Sequence, residues 1–484
     1  METTPPRILP IVAAAVAVAL FTTAFQVRGC GALVWLAFVP LLVILPRASQ
    51  SGAQAIGFAA GFAAYAIGFR WFAHLFGAPA VVLWSLLALF VTVFCELVRS
   101  LPMKMPAWQR ALLAGCFWVA LEYIRCEQWP LRFSWLAPGY AFRESLVGLR
   151  AASWIGVYGL SFAIVTMAAG AAWSRKRVAA GFLLLAIAVA AIPVRPSARH
   201  GAAQGGRVVL VQSSSTSRAS LLQMGDKALA GAPKPTLLVW PEYVIQFTEE
   251  ETPDAYAALR RAAHARGVTL VYGGLRAHGQ SQDSAAYVVG PDGKSLGCYE
   301  KHNPLPFFKD GEPGAAYPVF HWRVADGDAP FGVTICYDLS FERNARRLAG
   351  NGARFLVVPS MEPEDWPRVE QYEHAMAAPL RAAENGVGIV RCSTPGPSQI
   401  VDAHGAVLLS QPAGQWGALT WDGAPPMGSG QRTPYNRAGW LLPYLCQFVT
   451  VCYIACRFVA ARRSDGVKPS GPAISGGSRR CRQP

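Results

Sequence analysis

FGVTICYD, residues Phe331 to Asp338, is an apolar run of strand length that ends on a thiol, Cys336, two residues before a carboxylate. It lies in the one long stretch of the chain that is not membrane-like. Around it, from Arg207 to about Trp421, short β-rich runs alternate with helical ones: RVVLVQ, TLLVW, VTLVYGG, AAYVVG, FGVTIC, ARFLVVPS, VGIVRC and PSQIVDAHG read as strands. Thr252-Pro253 opens a helix with Pro in its first turn, and Gly267 closes it. Glu370 to Glu384 reads as another helix that stops at Asn385-Gly386. Alternation of this kind implies a layered α/β domain.

Outside this domain the sequence changes character. The 484 residues are 52% hydrophobic and only 15% charged, against roughly 25% charged for a soluble domain. Candidate spans run Ile8–Phe25, Gly31–Leu45, Ala55–Phe76, Pro79–Val98, Ala111–Ile124, Ala151–Trp173 and Val178–Val194, with a last one at Ala438–Cys456. Arg7 before an Ala/Val-rich run resembles a signal peptide, but the apolar segments that follow favour an uncleaved first helix. The expected organisation is a membrane domain of about seven spans over residues 1–200 and an α/β domain over 205–425. A C-terminal span follows over 436–460, then a basic disordered tail over 461–484.

The formal charge of +15 does not point to nucleic acid, because the basic residues flank apolar spans and no nucleic-acid-binding motif accompanies them. They read as topology signals. Arg99, Lys104 and Arg110, then Arg175, Lys176 and Arg177, then the tail arginines fall on one side of an eight-span arrangement, the cytoplasmic one. The α/β domain is then expected outside. The stretch Arg125 to Arg150 conflicts, being external yet rich in Arg; its aromatic, Pro/Gly-broken string FSWLAPGYAF (Phe133–Phe142) suits the membrane interface. Eleven cysteines with no CxxC pairing support neither a disulfide framework nor a zinc site.

Three ionisable residues follow strand-like runs: Glu242 after TLLVWP, Lys301 after LGCYE, and Cys336 after FGVTI. Ligand-contacting residues collect at the carboxyl ends of strands in such domains. A Cys nucleophile needs a proton acceptor and a fixed cation for the oxyanion, and these three supply both. Taken singly each has a bland reading: a buried inert thiol, a turn carboxylate, a solvated lysine. Their combination carries the chemistry.

WPE at Trp240–Glu242, YEKHNPLPF at Tyr299–Phe307 and CYD at Cys336–Asp338 resemble the Glu-Lys-Cys signature of the nitrilase superfamily. With the apolar spans, FRWFAHLFG (Phe69–Gly77), GVYGLSF (Gly156–Phe162) and TPYNRAGW (Thr433–Trp440), the chain resembles the apolipoprotein N-acyltransferases, the membrane-embedded branch. The resemblance implies an αββα sandwich inserted before the last span and facing the periplasm of a bacterial inner membrane. It implies acyl transfer from a phospholipid, through a Cys336 thioester, to the α-amino group of a diacylglyceryl-cysteine lipoprotein. Glu242 would be the base and Lys301 the oxyanion partner. Supporting roles would fall to Trp240, Tyr337, Asp338, Glu312 and Trp366. No metal or organic cofactor and no nucleic-acid partner is implied, and a monomer is expected. A membrane-anchored amidase or nitrilase-like hydrolase, or a divergent paralogue of weak activity, are the alternative readings.

The chain departs from the family's pattern in places. Asp338 stands where the family has Glu, and Lys309 where a further Glu is expected eight residues after the Lys. Glu312 takes that role if the loop carries a three-residue insertion. SSSTSRAS (Ser213–Ser220) replaces an Asn- or Gln-containing turn, and SMEPEDW keeps only Trp366 of an Asn-Asp-x-Trp string.

Overall fold

In the computed structural model the described residues are 8–173, 206–213, 217–231, 235–279, 281–305, 308, 310–324, 327–423 and 425–465. The expected span Val178–Val194, the basic cluster Arg175–Arg177, Lys309 and the tail beyond 465 lie outside them, as do residues 214–216 of the serine-rich string.

The α/β region contains two six-stranded sheets. The first is built from β1 (Arg207–Gln212), β2 (Thr236–Val239), β3 (Val268–His278), β4 (Ser281–Val289), β5 (Ser295–Glu300) and β12 (Gly417–Asp422), in the order β12-β1-β2-β3-β4-β5. The second takes β6 (Val319–Val324), β7 (Gly327–Val333), β8 (Phe355–Met361), β9 (Gly388–Thr394), β10 (Ser398–Val401) and β11 (Val407–Gln411), in the order β11-β10-β9-β8-β7-β6. Parallel pairs at the centre, β1 with β2 and β2 with β3 in one sheet, β7 with β8 and β8 with β9 in the other, are flanked by antiparallel ones.

Strand alternation decides which face each side chain serves. In β1, Val208 and Leu210 enter the core between the sheets, while Val209 and Val211 face the helices Arg218–Leu229 and Pro253–Arg266. In β8, Phe355 and Val357 face the other sheet, while Leu356 and Val358 meet the helices Glu342–Gly350 and Ala377–Asn385. Both faces being covered explains why these strands read as continuous apolar runs. The result is the expected αββα sandwich.

The second helix layer also faces the membrane part. One continuous apolar cluster runs from Leu356, Leu380 and Leu348 into Val157, Ile164, Phe117 and the helices before them. Among the described residues four helices are long and apolar enough to cross a bilayer: Ile8–Gln26, Pro79–Arg99, Leu146–Trp173 and Gly439–Arg462. Gln50–Gly68 and Arg70–Phe76 form a further pair bent by 69°. Gly31–Arg47 is short, and Ala107–Tyr123 has 17 residues.

Several local expectations need correction. The helix expected over Glu370–Glu384 is two helices, Arg368–Ala375 and Ala377–Asn385, separated at Met376. FSWLAPGYAF packs inside the protein rather than lying exposed on its surface. It is largely buried beneath the catalytic region, with Trp135 stacked on Tyr337 at 5.5 Å and Tyr140 receiving a hydrogen bond from Arg381 at 2.6 Å. The arginines of that stretch are consumed locally: Arg125 donates to the carbonyls of Phe133 and Trp135 at 2.7 and 3.0 Å, and Arg132 to Asn303 at 2.6 Å.

Candidate active site

Cys336 does not continue β7. Its φ of +47° places it in the left-handed region at the start of a single turn, Cys336–Ser340. A non-glycine residue held there stores strain, which is found where a side chain must be aimed. Tyr243, next to Glu242, has φ +55°, so both turns at this site are over-determined by their surroundings. Gly273 of β3 makes one of them achievable. A Cβ there would sit 2.4 Å from the Glu242 Cα, so the glycine lets the Glu242 loop lie flat on the strand.

The three expected residues converge. Lys301 Nζ lies 3.0 Å from Glu242 Oε1, and all three side chains are buried. Ser284 Oγ donates to Glu242 Oε1 at 3.1 Å and the Met361 N–H donates to Oε2 at 3.2 Å. The Cys336 thiol points at the Met361 carbonyl, 3.6 Å away. One residue, Met361 at the end of β8, thus holds both the carboxylate and the thiol.

A third charged group completes the cluster. Asp310 Oδ2 is 2.7 Å from Lys301 Nζ, and Tyr243 donates its hydroxyl to Asp310 Oδ1. Glu312 does not occupy this place; its backbone N–H donates to Asp283 at 2.8 Å.

Electrostatics follow from this arrangement. Burial pushes the Glu242 carboxyl up; Lys301 opposes that and Asp310 reinforces it. Burial would lower the Lys301 ammonium, but Glu242, Cys336 and Asp310 outweigh it and hold the group well above its usual value. Burial, then Glu242, push the Cys336 thiol far up, with Lys301 pulling against them. Burial and these charges together favour the neutral thiol, a more basic Glu242 carboxyl and the ammonium form of Lys301.

Asp338 does not line the cavity. Its Oδ1 accepts from the Asn303 N–H and Nδ2 at 2.7 and 2.8 Å; its Oδ2 accepts from Tyr299 at 2.8 Å and from the His302 and Ile335 N–H groups at 3.3 Å each. It ties the strand carrying Lys301 to the turn carrying Cys336. Tyr337 lines the cavity and donates to the Arg132 carbonyl at 2.5 Å, and Trp366 lines it too, stacked at 6.4 Å on Trp71. Trp240 does not reach the site. It is buried on the far face of β2, against the outer helices.

The cavity over Cys336 measures about 410 Å³ and is walled by Trp71, Phe72, Phe76, Phe133, Trp135 and Phe308 as well as the charged cluster. Most of these aromatic rings come from the membrane part. An apolar chain fits such a wall, with its polar head at the few ionisable groups. Cys336, Glu362 and His374 also bring S, O and N atoms within 4.8 Å of one another. As a cation site this trio is poor, since Glu362 already receives Arg391, His374 and Ser393.

Sequence profiles divide the chain in the same way. Residues 17–170 match the apolipoprotein N-acyltransferase N-terminal domain, and residues 203–422 match the carbon-nitrogen hydrolases. An apolipoprotein N-acyltransferase of Geobacter metallireducens is 25% identical over 88% of this chain and 91% of its own. That of Azotobacter vinelandii is 27% identical over 86% and 88%. Among solved structures, an amidase from Nesterenkonia sp. aligns at 24% identity over 48% of this chain and 92% of its own, with a TM-score of 0.39.

Proposed function

Because the chain belongs to the apolipoprotein N-acyltransferase family, we propose that it moves an acyl chain from a phospholipid to the α-amino group of a diacylglyceryl-cysteine lipoprotein, through a thioester on Cys336. The observation that carries this reading is the buried Glu242–Lys301–Cys336 cluster at the foot of a cavity whose wall is aromatic and membrane-derived.

In the first half-reaction Glu242 takes the thiol proton as the sulfur attacks the ester carbonyl. Lys301 stabilises the oxyanion, and Glu242 returns the proton to the departing glycerol oxygen. In the second, the amine attacks the thioester, and the thiolate leaves protonated by Glu242. Asp310 fixes the Lys301 ammonium, and Asp338 fixes the two loops.

The reading includes about eight spans in a bacterial inner membrane, residues 205–425 as a periplasmic catalytic unit and a monomeric protein. The contact of the Arg125–Arg150 stretch with the catalytic region supports placing both on one side. Membrane-derived walls favour a lipid donor over a small amide, which disfavours the hydrolase alternative. The test is maturation in cells that depend on this protein. Cys336→Ala leaves a model lipoprotein diacylated by intact mass, and full triacylation by that variant would refute the proposal.

A further inference from the structure

We propose that His374 is the base that neutralises the acceptor's ammonium group and that Glu370 receives that group beside it; this rests on the acyl-transfer reading above. The need arises from counting protons. An α-ammonium group must lose one proton before it can attack and a second after the C–N bond forms. Glu242 carries the second, from nitrogen to the departing sulfur. The Glu242–Lys301–Cys336 cluster has no acceptor for the first, since Lys301 is already an ammonium.

His374 is placed to take it. It sits on the Arg368–Ala375 helix, buried, with Nδ1 2.8 Å from Glu362 Oε1. Glu362 also receives Arg391 and, at 2.5 Å, Ser393 Oγ. Burial would raise this carboxyl, but the Arg391 charge, with hydrogen bonds from His374 and Ser393, outweighs it and holds it at about 2. An ionised carboxylate only accepts, so Nδ1 donates to Glu362 and Nε2 is the ring nitrogen left without a partner. Nε2 is buried and, among the described residues, has no hydrogen-bond partner. A His374 ring nitrogen, a Glu362 oxygen and Cys336 Sγ lie within 4.8 Å of one another, in the same cavity. A ring held by a carboxylate, with its second nitrogen unpaired and its side chain lining the nucleophile's cavity, is an arrangement suited to general-base catalysis.

Glu370 lies one turn earlier on the same helix, so it shares the face of His374. It lines the cavity, is buried, and its Oε2 has no partner among the described residues. An ammonium group entering past the aromatic wall can donate to it. The groups surrounding His374 are Cys336, Glu362 with Arg391 behind it, Glu370 and Glu373, with Tyr140 on the membrane side.

The step balances. The ammonium gives a proton to His374 Nε2; the amine attacks the thioester carbon; Glu242 takes the second N–H proton. The C–S bond breaks, the thiolate takes that proton from Glu242, and His374 releases its own to water. Ammonium plus thioester becomes amide, thiol and one proton.

The full chain in detergent, with phospholipid micelles and a synthetic diacylglyceryl-cysteine peptide, tests this in two stages. His374→Asn keeps a donor for Glu362. Acylation of Cys336 by the same variant is the internal reference, and the readout is the discharge rate relative to the acylation rate. Discharge by the peptide should fall about tenfold at pH 7, the shortfall set by the roughly one-in-ten neutral fraction of an amine of pKa roughly 8. At pH 9, above the α-amino pKa of roughly 8, most of that loss should disappear. Glu370→Gln should raise the peptide concentration needed for half-maximal discharge. Equal slowing of both stages, unchanged discharge, or a deficit that persists at pH 9 overturns the assignment. A wild-type chain that never takes up an acyl group overturns the acyl-transfer reading and this inference together, whereas normal wild-type transfer with an indifferent His374→Asn overturns this inference alone.

Discussion

Asp338→Asn is the perturbation that asks most of the structure. The carboxylate has no exposure and accepts from Asn303 twice, Tyr299, His302 and Ile335. The amide oxygen of Asn can keep the two Asn303 donors, and the Tyr299 hydroxyl can turn to accept. The His302 and Ile335 N–H groups then face an NH₂ and lose their acceptor. Each buried donor left unsatisfied costs about 1–3 kcal/mol, so the loss is about 2–6 kcal/mol. Those two N–H groups flank Lys301 and Cys336. A shift of about 1 Å between base, cation and thiol costs roughly a hundredfold in rate. The expected outcome is a chain with a lower thermal midpoint in detergent and an about hundredfold slower acylation of Cys336, read by intact mass. Asp338→Glu, the family's usual residue, should not preserve the rate, because an added methylene in a filled site costs about 1–3 kcal/mol. Wild-type acylation and an unchanged midpoint in Asp338→Asn would refute the claim that this carboxylate couples the two loops.

Other outcomes follow from the same geometry. Gly273→Ala brings a Cβ to 2.4 Å from the Glu242 Cα and should slow acylation at least tenfold while phospholipid binding persists, measured by lysophospholipid release. Gly156→Ala combines a φ of +68° with a Cβ 2.3 Å from the Tyr435 ring; it should lower the thermal midpoint by loosening the contact between membrane helix and catalytic region. Glu242 is raised in the folded chain, so folding favours its protonated form. Its contribution to stability is then complete below the unfolded pKa of about 4.3 and lost as pH rises through the folded value. Acylation needs the ionised form, so its acid limb should lie above the ordinary carboxylate range in a pH–rate profile, and Glu242→Gln should abolish acylation without lowering the midpoint at neutral pH.

The sandwich was legible because its central strands are apolar on both faces. The strands absent from the sequence reading, β6, β11 and β12, are all sheet edges, half-exposed and without a continuous apolar run. Glu242 and Cys336 were legible because each closes such a run, and Lys301 because it follows the strand-like LGCYE although β5 is a sheet edge. Asp310 was not, because a fixed offset from Lys301 falls on Lys309, one residue short; the adjacent carboxylate was the available signal. Trp240 was placed on the wrong side although alternation decides it: Leu237 and Val239 face the other sheet, so Leu238 and Trp240 face the helices. Glu362 sits in a polar segment without a pattern, and Glu370 and His374 lie on a helix that the sequence shows but whose partners only the folded chain brings together.

The most direct test of the central claim is the mass of the purified full-length chain after incubation with a phospholipid of one defined acyl length. The account predicts one added acyl group of that length, located on Cys336, absent in Cys336→Ala and discharged by a diacylglyceryl-cysteine peptide that gains the same mass. An unmodified wild-type chain, or an acyl group retained by Cys336→Ala, would contradict it.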